Sequence, residues 1–495
     1  MCLTRRAKDE GRPLAPGVGG WKSSLLLGIA LTLIYSANRR EIGAGDTAAA
    51  KFLPIAIIRG DGLYLDRFSQ QLQGSNWDKA RYSKGELIYA VTSSRGHIVS
   101  TYPVGPALLA VPFVLPQVLF LDLRHPGWDR DEASSWRFKF VAKNTAAVIA
   151  ALTGVVLLES LRRLGLGRVA LLTVLAVALG SNLWVVASQT LWQHGPAALA
   201  LTLAMALLIS RPVSRPRLVL AGLATAMLVA CRPTALIFAA AITLWMAWHH
   251  PRGLPWFLSL SVPCGVALAS YNYWAFGTIG GGYGGATWMT SPRAMVEGMV
   301  GTLLSPNRGL FIFCPWVPLA LATIPAVAEK LRRQSLVCWL LWAIVPHFVT
   351  ISIWPMWWAG HSFGPRFWTE VFPLFAIPLG FGLEWSWSHC RPVFWAFAAT
   401  IVYSVGVQLI GALCYESTWN SQPISVDLRT ERLWDWRDTE LSRCLREGIK
   451  WKPRSGRKNK IGSNRNGGGS LLDCKQPIEG EKTGQHAAVD GGSGL

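Results

Sequence analysis

The sequence predicts an all-α polytopic membrane protein of about eleven transmembrane helices with a long first extracytoplasmic loop. Three observations lead there. Charged residues make up only 15% of the 495-residue chain, against about 25% in soluble domains. They are also unevenly spread, and the stretches 169–195 and 218–231 contain no Asp, Glu, Lys or Arg. Finally, Lys and Arg alternate between the loops, as cytoplasmic bias requires.

The first apolar segment, 23–35, follows Arg5, Arg6, Lys8, Arg12 and Lys22, in the manner of a signal peptide. Only a weak small-residue site, Ser36-Ala37-Asn38, comes after it, so it reads as an uncleaved first helix. A helix crosses lipid with about 20 apolar residues because its backbone must satisfy its own hydrogen bonds. The expected spans are 21–37, 143–161, 169–188, 195–210, 217–231, 233–249, 254–274, 310–328, 335–353, 367–387 and 392–414.

One more apolar run, 102–123, contains Pro103, Pro106, Pro112 and Pro116, and proline removes a donor and clashes with the preceding turn. If this run does not cross and the N-terminus is cytoplasmic, then Arg162, Arg163, Arg168, Arg211, Arg215, Arg217, Arg252, Lys330, Arg332, Arg333 and Arg391 all lie inside. The short loops opposite hold only Arg232, Arg293, Arg308 and Arg366. A crossing at 102–123 flips every later loop and inverts the bias. Lys139 and Lys143 count mildly the other way, but they border a long loop, where the rule is weak. The segment is therefore expected to be interfacial or re-entrant.

The resulting organisation is a basic cytoplasmic N-terminus (1–20), a transmembrane domain (21–415) with its outer loop at 38–142, an extracytoplasmic segment (416–449) and a tail (450–495). The tail is rich in Gly, Lys, Asn and Ser and is expected to be disordered. No strong internal repeat marks the inverted symmetry of many transporters. The net charge of +20 follows from loop arginines and the tail, so no nucleic acid partner is expected. The nine cysteines show no metal spacing and no disulfide framework; those in apolar runs act as small hydrophobes.

With this topology the unusual polar motifs share the outer face, where loops on a rigid scaffold carry function. They are Arg39-Arg40-Glu41-Ile42-Gly43-Ala44-Gly45-Asp46-Thr47, Arg59-Gly60-Asp61-Gly62-Leu63-Tyr64-Leu65-Asp66, Thr101-Tyr102-Pro103, Ser188-Gln189-Thr190-Leu191-Trp192-Gln193-His194, Cys231-Arg232-Pro233, the glycine-rich 277–285, Ser305-Pro306-Asn307-Arg308-Gly309, and Trp357-Trp358-Ala359-Gly360-His361-Ser362-Phe363-Gly364-Pro365-Arg366. Asp46 is placed to serve as a general base; its residue type alone reads first as a solvated turn residue or the N-cap of the helix that follows. Arg232, Arg308 and Arg366 have the fork that binds phosphate, or they snorkel to the interface. His194 and His361 read as acid/base groups or ligands, or as hydrogen-bonded loop residues.

These motifs resemble the C-type glycosyltransferases, which include the protein O-mannosyltransferases and the bacterial transferases that decorate lipid A. The resemblance rests on Gly45-Asp46-Thr47 after the first span, on Gly60-Asp61-Gly62-Leu63-Tyr64-Leu65-Asp66 downstream, and on Tyr102-Pro103-Val104-Gly105-Pro106. His361-Ser362-Phe363-Gly364-Pro365-Arg366 is similar to a feature of uncharacterised bacterial members. In organisation it covers 23–415.

It implies an inverting transferase of the bacterial inner membrane that moves a sugar from a polyprenyl-phosphate donor to an extracytoplasmic acceptor it does not name. By that resemblance Asp46 is the base, Arg366 or Arg308 meets the leaving phosphate, and Tyr102, His361, His194 and Asp61 are further substrate contacts. The lipid-linked donor and membrane lipid are the implied partners. The resemblance assigns no cofactor and no metal ligand and leaves a divalent metal open.

One departure stands out. Many relatives carry a second acidic residue in the next outer loop, and here Gln189-Thr190-Leu191-Trp192-Gln193-His194-Gly195 has none, leaving His194 or Gln193 for that role. Two other classes compete: a transporter or flippase for lipid-linked or anionic solutes, and a non-catalytic envelope scaffold. A transporter calls for ionisable groups at mid-membrane, whereas Glu159 and Glu384 lie near the inner ends.

Overall fold

The computed structural model describes residues 20–76, 82–130, 135–209, 213–283 and 288–450. Apart from Gly20 and Lys450, the N-terminal region 1–20 and the tail 450–495 lie outside them.

The described residues begin with α1 (Gly20–Ser36) and the short α2 (Ala48–Ile58). An antiparallel hairpin of β1 (Val91–Ser94) and β2 (His97–Ser100) follows, with Val91 opposite Ser100. Next come α3 (Gly105–Arg124), α4 (Ser135–Arg163) and α5 (Ala170–Leu179), which continues into a π-helical turn at Leu183–Ala187. Then follow α6 (His194–Ile209), α7 (Arg215–Cys231), α8 (Leu236–His249), α9 (Leu254–Phe276) and α10 (Pro292–Leu304). The expected span 310–328 is broken into α11 (Leu310–Phe313), α12 (Trp316–Ala322) and α13 (Ile324–Arg332). Pro315 marks the first break, since proline cannot donate to the preceding turn. The chain continues through α14 (Ser335–Ser352), α15 (Phe372–His389), α16 (Arg391–Cys414), α17 (Thr418–Ser421) and α18 (Glu440–Glu447).

Among the described residues, five helical segments are long and apolar enough to cross a membrane: Gly105–Arg124, Ser135–Arg163, Pro251–Phe276, Ser335–Ser352 and Arg391–Cys414. The surface is apolar in keeping with this. On α1 the stripe Leu27, Leu31 and Tyr35 is buried, while Leu26 is 66% exposed. On α16 the outward Val402 is 71% exposed. Helices that turn large aliphatic side chains outward along their length are suited to lipid rather than water. Gly154 lets α1 approach α4 closely, because a Cβ there would meet Leu31 at 2.7 Å; small residues at crossings serve membrane helices in this way. At the centre, α6 and α15 are buried over most of their lengths.

The loop region between α1 and α4 has its own core, with Phe52, Phe68, Val91, Val114, Trp128 and Phe138 in contact. The segment expected to be interfacial or re-entrant forms one helix, α3, which runs unbroken through Pro112 and Pro116. Packing against α2, α4 and α7 compensates for the lost backbone bonds. The C-terminal ends of α2 and α3 are tied by charge. Arg59 donates to both oxygens of Asp122 (2.8 and 2.6 Å) and to Asp129 (3.0 Å). By length and composition α3 is able to cross.

Candidate active site at the ends of the central helices

Asp46 lies in a 3₁₀ turn, Gly45–Thr47, that leads directly into α2. No side chain caps either helix start, which removes the reading of Asp46 as a helix cap. Its carboxylate is instead paired across the fold. Arg366 Nη1 donates to Oδ2 at 2.8 Å, and the Tyr89 hydroxyl donates to Oδ1 at 3.1 Å. Gly45 is required here, since a Cβ would strike the Tyr89 ring and hydroxyl.

Arg366 opens the 3₁₀ turn Arg366–Val371 that feeds α15. The chain reaches it through Gly364, whose φ of +58° suits glycine. The guanidinium lies over Trp192 at 4.5 Å from the ring centroid, which orients its fork. The pair is sheltered: 8% of the Arg366 side chain and 14% of the Asp46 side chain is exposed.

Tyrosines line the approach. Tyr89 and Tyr102 meet edge to face at 6.5 Å, and Tyr102 and Tyr283 at 6.1 Å. Burial, reinforced by the Asp46 charge, raises both the Tyr89 and Tyr102 phenols above their ordinary range. Both therefore remain protonated donors at neutral pH. Gln193 donates weakly to the Tyr283 hydroxyl at 3.4 Å. Glu41 binds the loops together, accepting from Lys51 at 2.8 Å and from the Thr190 hydroxyl at 2.7 Å.

Behind this surface lies a buried ionic trio. His194 Nδ1 is 2.7 Å from Glu370 Oε2, Arg232 Nη1 is 3.3 Å from His194 Nε2, and Arg232 Nε is in ion-pair contact with Glu370 Oε1. Both ring nitrogens of His194 are thus engaged. The loop around His194 has no carboxylate of its own, and the one His194 meets in space is Glu370, which precedes α15. Glu370 is the single charged residue in 367–383. An ionisable group within an apolar run was the available signal for it. Tyr89 carried no such local signal.

The other sequence candidates make no hydrogen bond or ion pair with Asp46 among the described residues. Arg308 is 2% exposed and spends all its N–H groups on the fold. Nε bonds Trp358 O at 2.9 Å, Nη1 bonds Asn307 O at 2.7 Å and Glu440 at 3.0 Å, and Nη2 bonds Gly360 O at 3.3 Å and Asn420. Contrary to its expected role as a phosphate ligand, it has no donor to spare. Glu440 also accepts from the Gly364 amide at 3.0 Å, so this buried pair anchors the loop that delivers Arg366. His361 is 3.3 Å from both Ser425 Oγ and Asp427 Oδ2. Asp61 pairs with Arg67 at 2.5 Å. Of the glycine-rich stretch, Gly284 and Gly285 lie outside the described residues. Among the described residues, no group of three His, Cys, Asp or Glu side chains forms a metal site.

No protein-family model and no curated protein matches this sequence. Among solved structures, the chain is similar to ArnT from Cupriavidus metallidurans, crystallised bound to undecaprenyl phosphate. The identity is 16% and the TM-score 0.48, with 87% of this chain and 70% of that chain covered.

Proposed function

We propose that this chain is a membrane glycosyltransferase that moves a sugar from a polyprenyl-phosphate donor to an extracytoplasmic acceptor, with inversion. The observation that carries the reading is the Asp46 carboxylate held between the Arg366 guanidinium and the Tyr89 hydroxyl. A carboxylate so held takes the proton of an acceptor hydroxyl as its oxygen attacks the anomeric carbon. The bond from that carbon to the phosphate oxygen breaks, and polyprenyl phosphate leaves. Its charge rises from one negative to two as Asp46 becomes neutral. Arg366 is then released from Asp46 to the new charge, so the guanidinium follows the negative charge from base to leaving group.

The accompanying topology has eleven spans, a cytoplasmic N-terminus and α3 lying along the surface. Three features support it: the loop charges, the Asp46–Arg366 pair, and the cluster joining Arg59 to Asp122 and Asp129, which holds the ends of α2 and α3 together.

The test is transfer from radiolabelled polyprenyl-phosphate sugars by wild type, Asp46→Asn and Arg366→Ala. The reading expects product from wild type and little from either variant. Equal product from all three removes both residues from the mechanism. One observation favours a transporter instead: the buried Arg232, Glu370 and His194, since ionisable groups inside a bundle mark transport pathways. Solute flux in proteoliposomes, with no transfer from any donor, would establish that alternative.

A further inference from the structure

Arg232 is an expensive residue to bury, and its surroundings are more elaborate than neutralisation requires. Its side chain is 5% exposed and Glu370 is fully buried. An arginine and a carboxylate left to themselves pair fork to fork through two parallel bonds. Here Glu370 divides its oxygens, giving Oε1 to Arg232 Nε and Oε2 to His194 Nδ1 at 2.7 Å. His194 Nε2 in turn meets Arg232 Nη1 at 3.3 Å. With Nδ1–H donating to the carboxylate, Nε2 presents the lone pair that accepts from Nη1. The imidazole therefore works as a spacer that turns the guanidinium and fixes its edge. Among the described residues Nη2 has no partner.

Arg366 is held more loosely. Nη1 is held by Asp46 at 2.8 Å, and among the described residues Nη2 has no partner. Phe367 joins the two, with Arg232 5.2 Å and Arg366 5.6 Å from its centroid. Two guanidiniums thus approach one ring: Arg232 is held through Nε by Glu370 and through Nη1 by His194 and leaves Nη2 uncommitted, while Arg366 is held through Nη1 alone and leaves Nε and Nη2 uncommitted. The uncommitted N–H groups of both forks can donate to the oxygens of one anion seated beside that ring.

We propose that Arg232 is a second anion-binding residue of the site, acting with Arg366 on the phosphate of a lipid phosphate, and that Glu370 and His194 are its positioning residues. This rests on the transferase reading, and the binding experiment separates the two. The probe is a short-chain polyprenyl phosphate titrated into detergent-purified protein by intrinsic tryptophan fluorescence, with the matching uncharged polyprenol as control. Arg232→Gln leaves Glu370 without a cation and risks misfolding. The double variant Arg232→Gln/Glu370→Gln removes both buried charges and keeps the site neutral. Arg232→Lys keeps the charge but loses the fork.

The double variant should bind the phosphate at least about tenfold more weakly than wild type, with the polyprenol signal unchanged. Arg232→Lys should fall between them. Glu370→Gln alone, which keeps both guanidiniums but frees the Arg232 edge, should raise KM for the donor more than it lowers kcat. Wild-type binding with an unaffected double variant overturns the role of Arg232 and leaves the transferase reading standing. No phosphate binding by wild type overturns both.

Discussion

Replacing Asp46 with asparagine separates the two tasks proposed for its carboxylate, taking a proton and holding Arg366. Asparagine keeps the shape and retains an acceptor for Tyr89 or Arg366, but it carries no charge and takes up no proton. At a charge separation of about 4 Å and an effective dielectric of about 20, the lost attraction is about 4 kcal/mol before desolvation. The net worth of a hydrogen bond to a charged group is about 1.5–3 kcal/mol. With the pair only partly open to solvent, at 14% and 8% side-chain exposure, the fold should lose about 1–2 kcal/mol. Turnover should fall by a factor of about 10²–10⁴, the usual contribution of a general base. Affinity for polyprenyl phosphate should move the other way. Freed from its carboxylate, Arg366 should bind the lipid phosphate about tenfold more tightly, about 1.4 kcal/mol. Turnover with labelled donor and a fluorescence titration with polyprenyl phosphate measure the two effects on one preparation. Asp46→Asn turning over within about threefold of wild type, or binding the phosphate no more tightly, would refute the shared use of Arg366.

Three other predictions follow from the same geometry. Tyr89→Phe removes the hydroxyl donor to Asp46 and should lower kcat about three- to tenfold with little change in thermal stability; an unchanged kcat would remove Tyr89 from the site. Glu440→Ala strands the buried Arg308 and frees the Gly364 amide, so detergent-solubilised protein should lose about 3–5 kcal/mol of stability, measured by thermal unfolding, whereas loss of an exposed pair would cost under about 1 kcal/mol. Burial alone would raise the Asp427 carboxyl, but the His361 contact and the Trp358 indole outweigh it and leave it lowered; its contribution is therefore present above the ordinary carboxylate pKa of about 4 and lost as pH falls below that. Asp427→Asn should accordingly flatten the acid side of the melting-temperature profile, and an unchanged acid limb would contradict the assignment.

Much of the architecture was legible in the chain. The apolar runs foretold helices at every expected span, because hydropathy is a sum over consecutive residues and needs no tertiary information. The prolines of α3 did not stop it from being helical, because Ala110, Val114, Val118 and Leu121 bury one stripe of it against its neighbours. Asp46 and Arg366 were both legible as polar residues beside helix ends. Arg308 looked like their equal, and only packing distinguishes it: Arg308 is closed around Glu440, 132 positions away.

What the sequence alone determined is the class of molecule, a bundle of apolar helices, and the short set of polar residues from which a site could be built. Tertiary structure decided which of these meet. Asp46 finds Arg366 across 320 positions, and His194 finds Glu370 across 176. The reason is physical. Hydrophobic burial is non-directional and is written into composition and period, whereas an ion pair depends on a few tenths of an ångström set by how α6 and α15 pack at the centre of the bundle.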